Sequence, residues 1–287
     1  IRAVKLEAAE NGYVSWLKTV TPAEVTEKGK AAVVGGGPAG MAAAYFLRRG
    51  GMEVTLFEQS DSLGGVVRHV IPEFRIAGDA IDKDAAILEA AGVEIRYNIR
   101  VKSVQELKDK GYAAVVLAVG ASVPGTLKLE EGETVNALEF LADFKETNGR
   151  LDIGRNVVVI GGGNTAMDTA RAAKRTKGVE NVALVYRRTK RYMPADEEEL
   201  LMALEDGVDF QELLAPVKLS GGMLTCRVMK LGDFDASGRR GVVETDEIRE
   251  VPADTVIVAV GEKVPAEFYK ANNIHVNERG KALVNEE

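Results

Sequence analysis

Two glycine-rich segments constrain the fold of this chain more than any other feature. They are Gly35-Gly36-Gly37-Pro38-Ala39-Gly40 and Gly161-Gly162-Gly163-Asn164-Thr165-Ala166. Each follows a short apolar run and opens a stretch of apolar residues with helical spacing. A strand, a tight glycine turn and a helix in this order begin a βαβ unit. The sequence therefore predicts two such units in one polypeptide.

The first segment has the G-x-G-x-x-G spacing of a dinucleotide-binding turn. Gly35 permits the turn, Gly37 lets the backbone approach a pyrophosphate, and Gly40 allows close packing of the helix. The next apolar run, residues 54–57, is followed by Glu58. That matches the spacing of about 20 residues for a carboxylate that binds ribose hydroxyls. A glycine turn without a nucleotide is the less favoured alternative.

The second segment has Ala166 where the third glycine would stand, which is a variant of the same fingerprint. Its second apolar run, residues 182–185, leads into Tyr186-Arg187-Arg188, with Lys190 and Arg191 close behind. Guanidinium groups bind a 2′-phosphate, which a carboxylate would repel. We therefore interpret this site as one for NADP(H), although an ordinary solvated basic loop is the alternative.

Composition limits the remaining possibilities. The 287 residues, 46% of them hydrophobic, are enough for two domains, and the net charge of −7 argues against a nucleic-acid partner. We find no signal peptide and no apolar run of about 18–20 residues that could cross a membrane, so we expect a cytoplasmic protein. A start at Ile1 instead of methionine suggests an excised piece of a longer chain.

The single cysteine, Cys226, excludes an internal disulfide, a Cys-x-x-Cys pair and a cysteine-ligated iron–sulfur cluster within these residues. We expect Cys226 to be a strand residue. His69 and His275 are too few and too far apart to suggest a metal site.

The pattern along the chain predicts an N-terminal helix and linker (1–30), a first α/β unit (31–125), a second unit (126–262) and a return to the first (263–287). Residues 113–120 and 254–261 read as matching buried strands that end in Ala-Val-Gly. Residues 80–91 and 197–204 look helical, residues 93–97 form a strand, and residues 277–284 resemble a hairpin. Residues 211–228 and 242–250 look like strands of a meander that turns at 238–241.

Residues 33–44, 54–75, 157–170 and 186–195 resemble flavoproteins with two dinucleotide-binding domains, specifically the small (beta) subunit of NADPH-dependent glutamate synthase. Related flavin modules occur in dihydropyrimidine dehydrogenase and in selenate-reductase-type subunits, and the last branch is the most similar in appearance. The most specific block runs from Leu63-Gly64-Gly65 to Ile71-Pro72-Glu73-Phe74-Arg75. The resemblance covers nearly the whole chain. It implies an α/β fold like that of glutathione reductase, with the NADPH domain inserted in the FAD domain.

The resemblance also implies FAD at the first turn, with the pyrophosphate on the glycines, the ribose on Glu58, the flavin near Gly65 and Arg68, and the adenine near Val101. The implied FAD residues are Gly35, Gly37, Pro38, Ala39, Gly40, Glu58, Gln59, Gly64, Gly65, Arg68, Val101, Ala118 and Gly120. The implied NADPH residues are Gly161, Gly162, Gly163, Asn164, Thr165, Arg187, Arg188, Arg191 and Gly261.

The expected function is to pass electrons from NADPH through FAD to an iron–sulfur carrier on a segment or partner outside these residues. The family's Gly-Asp segment that touches the flavin would also lie beyond residue 287, so we expect weakened FAD retention. No residue is assigned to proton transfer, and Glu73, Asp168 and residues 197–199 are expected to be capping or surface acids.

Two alternatives were weighed against this function. A disulfide reductase like thioredoxin reductase needs a dithiol, which one cysteine cannot form. A non-catalytic NADP(H)-binding module that regulates or assembles a larger complex stays open.

Overall fold

The structure, a computed structural model, describes residues 2–121, 123–234, 238–278 and 280–285. The helices in this part of the chain are α1 (Arg2–Leu17), α2 (Pro38–Arg49), α3 (Val66–His69), α4 (Gly78–Ala90), α5 (Val104–Asp109), α6 (Ala137–Thr147), α7 (Asn164–Arg175), α8 (Glu197–Glu205) and α9 (Ala266–Ala271). A 3₁₀ turn spans Lys190–Tyr192.

The strands are β1 (Lys30–Val34), β2 (Glu53–Phe57), β3 (Glu94–Arg96), β4 (Tyr112–Leu117), β5 (Val123–Pro124), β6 (Val135–Asn136), β7 (Asn156–Ile160), β8 (Asn181–Tyr186), β9 (Asp209–Glu212), β10 (Leu214–Ser220), β11 (Met223–Phe234), β12 (Arg240–Pro252), β13 (Thr255–Val258) and β14 (Glu262–Lys263). No helix in the described ranges has both the length and the apolar character needed to cross a membrane.

The chain divides into two compact units. Unit 1 comprises Ile1–His69, Glu73–Ser122 and Lys263–Glu287, and unit 2 comprises Val70–Pro72 and Val123–Glu262. Unit 2 is thus inserted in unit 1, as the predicted fold class requires.

Unit 1 is built on a parallel sheet with the strand order β3-β2-β1-β4. Its β1 strand is rich in small and branched apolar residues and is buried from Ala31 to Val34. One face packs Ala31 and Val33 against α2 and α4, and the other packs Ala32 and Val34 against Leu107 of α5. The sheet order changes direction between β1 and β4. In open α/β sheets the crevice at such a point is where ligands bind.

Unit 2 repeats this plan in a larger parallel sheet with the order β6-β13-β7-β8-β9. Helices α6, α7 and α8 cover one face, where Met167 and Leu184 are fully buried. The antiparallel sheet β10-β11-β12 covers the other face, with Cys226 buried against Val158 and Val185. The expectation that Cys226 is a strand residue is confirmed, since it lies in β11.

Two strand predictions were wrong in detail. Residues 113–120 were expected to be a buried strand, but β4 leaves Ala113 and Ala114 exposed because it is an outer strand of its sheet. Residues 211–228 were expected to belong to the meander, but Gln211 lies in β9 of the parallel sheet. The chain leaves that sheet at Leu213, whose left-handed backbone (φ 57°) separates β9 from β10. At the expected hairpin of residues 277–284, where residue 279 is outside the described ranges, the structure has an isolated bridge between Val276, one residue earlier, and Ala282.

Candidate nucleotide-binding sites

The first glycine turn joins β1 to α2 and packs against the end of β4. Gly35 has φ 105°, and a Cβ atom placed there would lie 2.4 Å from the carbonyl oxygen of Ala118. A Cβ atom at Gly40 would lie only 1.8 Å from the carbonyl oxygen of Gly35. Both contacts are to backbone, which cannot move aside cheaply. These two positions therefore require glycine for the turn itself.

Gly37 has a different environment, because the space beside it is open. The nearest atom to a Cβ placed there is the Cα of Gly65, at 4.0 Å. Gly37 is the N-cap of α2 and provides no side-chain hydrogen bond to the helix, whose first residue is Pro38. The free amide donors of a helix start, together with its partial positive charge, suit an anion such as a pyrophosphate. The residues present fit that group.

The Leu63-Gly64-Gly65 segment lies across this turn. The Gly64 N–H donates to the carbonyl of Gly36 at 2.8 Å, and a Cβ atom at Gly65 would lie 3.0 Å from the Cα of Gly37. Gly65 has φ 53°, in the left-handed region that favours glycine. The specific block seen in the sequence thus folds back onto the glycine turn, which leaves backbone without side chains on both sides.

Glu58 follows the last residue of β2 and is buried, with 5% of its surface exposed. Its Oε2 accepts a hydrogen bond from the Gly36 N–H at 2.6 Å, and its Oε1 accepts one from the Ser60 N–H at 2.8 Å. A carboxylate oxygen has more than one lone pair, so each can also accept from a ribose hydroxyl. The carboxylate is therefore fixed beside the turn by the protein itself.

The structure brings some of the other predicted FAD residues to this turn. The Ala118 N–H donates to the Val34 carbonyl at 2.8 Å, and the Arg68 Nε–H donates to the Leu63 carbonyl at 2.5 Å. Arg68 also forms an ion pair with Asp82. Val101 packs against the cluster around Val34 and Phe57. The remaining three, Ala39, Gln59 and Gly120, are exposed.

The second turn joins β7 to α7, and it begins with the same backbone hydrogen bond to the neighbouring strand as the first turn. The Gly161 N–H donates to the Val185 carbonyl at 3.1 Å, as the Gly35 N–H does to Phe57 at 2.9 Å. A Cβ atom at Gly161 would lie 2.6 Å from the Ala259 carbonyl oxygen, whereas one at Gly163 would have nothing within 4 Å. Gly163 is the N-cap of α7, and it too provides no side-chain hydrogen bond. The open backbone position in the second turn is thus Gly163, which corresponds to Gly37 in the first turn.

The side chains next to Gly163 are engaged within unit 2. Asn164 Oδ1 accepts from the Asp196 N–H at 3.0 Å, and the Thr165 hydroxyl donates to Glu262 Oε1 at 3.0 Å. Gly261, the remaining predicted residue, is exposed with φ 73°. Thr165, Gly261 and Glu262 line a small cleft at the ends of β13 and β6.

Residues 187–196, which we call the arginine loop, connect β8 to α8. The side chains of Arg187 and Arg191 are exposed. The Arg188 side chain is half-buried, and its Nε–H donates to the carbonyl of Arg240 at 2.9 Å. Such a bond fixes the plane of the guanidinium and leaves its two terminal nitrogens for a ligand. The loop thus places three cationic side chains at the end of the strand next to the second turn.

The expectation that certain acids cap helices or lie on the surface was partly wrong. Glu73 acts as a cap, because its Oε2 accepts from the Gly78 N–H at the start of α4 at 3.0 Å. Asp168 and Glu199 are buried, with 5% and 8% of their surfaces exposed. In sequence they adjoin Met167 and Leu200, which belong to the buried apolar core of unit 2. The polarity of a single residue does not reveal which face of a helix that residue occupies.

The lone thiol and the imidazoles add no metal or redox site in the described residues. Burial raises the pKa of the Cys226 thiol to about 11, which keeps it protonated at neutral pH. The described ranges contain no group of three or more histidine, cysteine, aspartate or glutamate residues that could hold a metal ion.

Sequence reasoning missed the residues that hold the arginine loop in place. They are Tyr186, whose hydroxyl donates to the Tyr192 carbonyl at 2.9 Å, and Glu212, whose Oε1 accepts from the Lys190 N–H. Both are the final residues of adjacent parallel strands. Their shared position at the carboxyl edge of one sheet is the signal that could have pointed to them.

Two parallel sheets, each with a glycine turn that opens onto a helix start, define the class of two-domain dinucleotide-binding α/β proteins. The chain belongs to the pyridine nucleotide-disulphide oxidoreductase family, whose sequence model matches residues 29–287.

Several similar proteins are named as oxidoreductases or their subunits. The chain is 41% identical to "Putative oxidoreductase YgfK" of Escherichia coli over 98% of its own length and 28% of that protein's. It is 38% identical to the NADPH-Fe(3+) oxidoreductase subunit beta of Geobacter sulfurreducens, covering 85% of this chain and 38% of the relative. It is 36% identical to the glutamate synthase [NADPH] small chain of Azospirillum brasilense, covering 86% and 55%. The predicted resemblance to glutamate synthase small chains is confirmed, and the chain spans only about a quarter to a half of these relatives.

Solved structures confirm the fold. FprA from Mycobacterium tuberculosis matches with a TM-score of 0.70 and 22% identity, over 83% of this chain and 72% of FprA. Thioredoxin reductase from T. acidophilum matches with a TM-score of 0.63 and 19% identity, over 90% and 85%. FprA has also been solved in complex with NADPH. The family match supports the expected pyridine nucleotide, and the selenate-reductase-type branch stays a prediction.

Proposed function

We propose that this chain is an electron-entry module that binds FAD at the first turn and NADPH at the second. It would pass electrons on to an iron–sulfur carrier in a further segment or a partner subunit. The observation that supports this most is the contrast between two otherwise equivalent sites. The first strand pair ends in a buried carboxylate, Glu58, and the second ends in the arginine loop. The first suits unmodified ribose hydroxyls and the second a 2′-phosphate.

The protein's contribution is to bind and orient, since the cofactors supply the redox chemistry: NADPH donates two electrons, and FAD accepts them and releases them singly. Gly37 and Gly163 leave space for a pyrophosphate beside two helix starts. Glu58 holds acceptor oxygens beside the first turn, and Arg187, Arg188 and Arg191 supply donors beside the second. The names of two relatives, a glutamate synthase [NADPH] small chain and an NADPH-Fe(3+) oxidoreductase subunit, support NADPH as the donor.

A test of this proposal is an anaerobic titration of the FAD-reconstituted protein, followed by its visible flavin spectrum. NADPH should bleach the spectrum at about one equivalent per FAD. NADH should do so only at concentrations at least about tenfold higher, because it lacks the charge-assisted hydrogen bonds of the 2′-phosphate. An unchanged spectrum with FAD bound would overturn electron entry and favour the non-catalytic NADP(H)-binding module. Because weakened FAD retention is expected, the protein is kept in a large excess of FAD, and a lack of FAD binding under that condition would overturn the FAD assignment.

Gly163→Ala sharpens this titration. The added methyl has nothing of the protein within 4 Å, so the fold should be unaffected while the approach of a pyrophosphate is obstructed. We expect NADPH to be needed at about tenfold higher concentration, which corresponds to about 1.4 kcal/mol. Gly12→Ala is the matched control, because its Cβ also has nothing within 4 Å and it lies in α1.

A further inference from the structure

The 3₁₀ turn of the arginine loop is held at both ends by side chains of the parallel sheet. The Tyr186 hydroxyl, from the end of β8, donates to the carbonyl of Tyr192 at 2.9 Å. The Glu212 carboxylate, from the end of β9, accepts from the backbone N–H of Lys190. Lys190 and Tyr192 are the first and last residues of the turn. The sheet therefore determines where this turn lies.

The loop's own residues do not perform this task. Thr189 stands at the N-cap of the turn and makes no side-chain capping hydrogen bond. The amide donors at the start of such a turn need an acceptor, and Glu212 supplies it from another strand. A carboxylate near a phosphate site weakens binding through repulsion between like charges. Direct recognition of a phosphate therefore does not explain Glu212, whereas fixing the loop does.

Tyr186 also links the loop to the second glycine turn. Its ring is buried, and a Cβ atom at Gly162 would lie 2.4 Å from a ring carbon. The carbonyl of Gly162 accepts from the Ala195 N–H, near the far end of the loop, at 3.0 Å. Gly162 thus joins the pyrophosphate turn to the arginine loop, in addition to the hydrogen bond from the Asp196 N–H to Asn164 Oδ1. A fixed distance between them is what a nucleotide that carries both phosphate groups requires.

We propose that Tyr186 and Glu212 are positioning residues that set the preference of the second site for a nucleotide with a 2′-phosphate. This inference rests on the proposed NADPH site. Arg191 lies inside the turn and has an exposed, long side chain, which loses conformational freedom when it binds a ligand. Fixing its backbone in advance removes part of that loss. Releasing either end of the turn should weaken the binding of the nucleotide with a 2′-phosphate. The binding of the nucleotide without it should stay unchanged.

The test is calorimetric titration of the protein with NADP⁺ and with NAD⁺, which differ only in the 2′-phosphate and undergo no reaction alone. Tyr186→Phe keeps the ring on Gly162 and removes the hydroxyl. Glu212→Ala removes the acceptor, whereas Glu212→Gln keeps an acceptor oxygen without the charge. We expect Tyr186→Phe and Glu212→Ala to lower the affinity for NADP⁺ by about fivefold to tenfold, which corresponds to the loss of one hydrogen bond. Glu212→Gln should bind NADP⁺ at least as tightly as the natural protein, and NAD⁺ should change by less than about twofold in all three.

Two control variants match these changes in unit 1. Tyr13→Phe removes a hydroxyl that donates to the Lys83 carbonyl at 3.3 Å, and Glu73→Ala removes the carboxylate that accepts from the Gly78 N–H. Neither should alter NADP⁺ binding. Thermal melting of every variant checks that it is folded.

The outcomes separate this inference from the proposed function. If the natural protein does not prefer NADP⁺, both the NADPH assignment and the positioning role are overturned. If it does, and Tyr186→Phe and Glu212→Ala keep the full preference, the positioning role alone is overturned. An equal loss of affinity for NADP⁺ and NAD⁺ would show that the two residues have only a structural role. That result would also overturn the positioning role. A loss of affinity for NADP⁺ alone, together with normal NADP⁺ binding by Glu212→Gln, supports the positioning role.

Discussion

The two glycine turns of this chain share one backbone plan but differ in the side chains that we propose select their ligands. Beside the first turn lies a buried carboxylate, and Glu58 is bonded directly to the turn through the Gly36 N–H at 2.6 Å. Beside the second turn lie exposed arginines on a loop that other residues hold. A short acid can be fixed by the turn itself, whereas a long cation needs a supported loop. Under the proposed assignment, ligand preference depends on few residues at the first site and on many at the second.

The third glycine position breaks the symmetry of the turns, and it gives the largest effect we predict. Gly40→Ala would place a methyl 1.8 Å from the Gly35 carbonyl oxygen. We expect a loss of about 3 kcal/mol in the stability of unit 1, the upper range for a forced clash in a packed interior. Hydrogen exchange of the β1 and β4 amides would measure it.

Ala166→Gly is the reciprocal change, since a methyl is already accommodated beside Gly161 in the second turn. It should cost about 1–2 kcal/mol, from lower helix propensity and from the loss of a buried methyl group. If both changes cost the same in hydrogen exchange, the two turns pack alike and the contrast between them fails.

The direct attachment of Glu58 predicts the next effect. Glu58→Gln replaces one acceptor oxygen with an amide that cannot accept from either N–H, so the Gly36 or the Ser60 N–H loses its partner. We expect about 2 kcal/mol less stability for unit 1, with weaker FAD binding, because an unpaired buried donor is costly. Calorimetric melting measures the first effect and FAD titration the second. Glu53→Gln, exposed in the same strand, is the control and should change neither.

The arginines of the second site should show the opposite behaviour, with an effect on binding and none on stability. Arg187→Ala and Arg191→Ala should each lower the affinity for NADP⁺ by at least about tenfold, since one charge-assisted hydrogen bond contributes about 1.5–3 kcal/mol. NAD⁺ binding and the melting temperature should stay unchanged because both side chains are exposed. Arg49→Ala, at the end of α2, is the control. Unchanged NADP⁺ binding in both variants would mean that this is an ordinary solvated loop.

The parts of the molecule that the sequence predicted are those whose signal is local. A glycine at Gly35 or Gly161 after an apolar run specifies a strand and a turn within a few residues. The exposure of β4, the burial of Asp168 and the support given by Glu212 depend on which distant segments become neighbours. Glu212 meets Lys190 across 22 residues of sequence. Spacing within a motif carries no information about such contacts.

The helices that follow the two turns also differ, which gives the smallest effect we predict. Near the end of α2, the Arg48 Nε–H donates to the Gly92 carbonyl at 3.1 Å. In α7, Arg171 and Arg175 both pair with the Asp206 carboxylate, at 2.7 Å and 2.5 Å. Of these two arrangements, the second contains a carboxylate, so its strength depends on the charge of an acid.

Partial burial of Asp206 acts to raise its pKa, but hydrogen bonds from Arg175 and Arg171 outweigh burial and hold the pKa below its ordinary value. A depressed pKa in the folded state contributes stability above the unfolded value and loses it as the pH falls through the folded one. We expect Asp206→Asn to lower the stability of unit 2 by roughly 1 kcal/mol at pH 7, and by progressively less as the pH falls below the ordinary aspartate value of about 3.8 toward the lower folded value. Melting temperatures of both proteins across this range measure the difference. If the gap does not narrow in acid, the arginines hold α7 through geometry alone, and the charge on Asp206 does not distinguish the two helices.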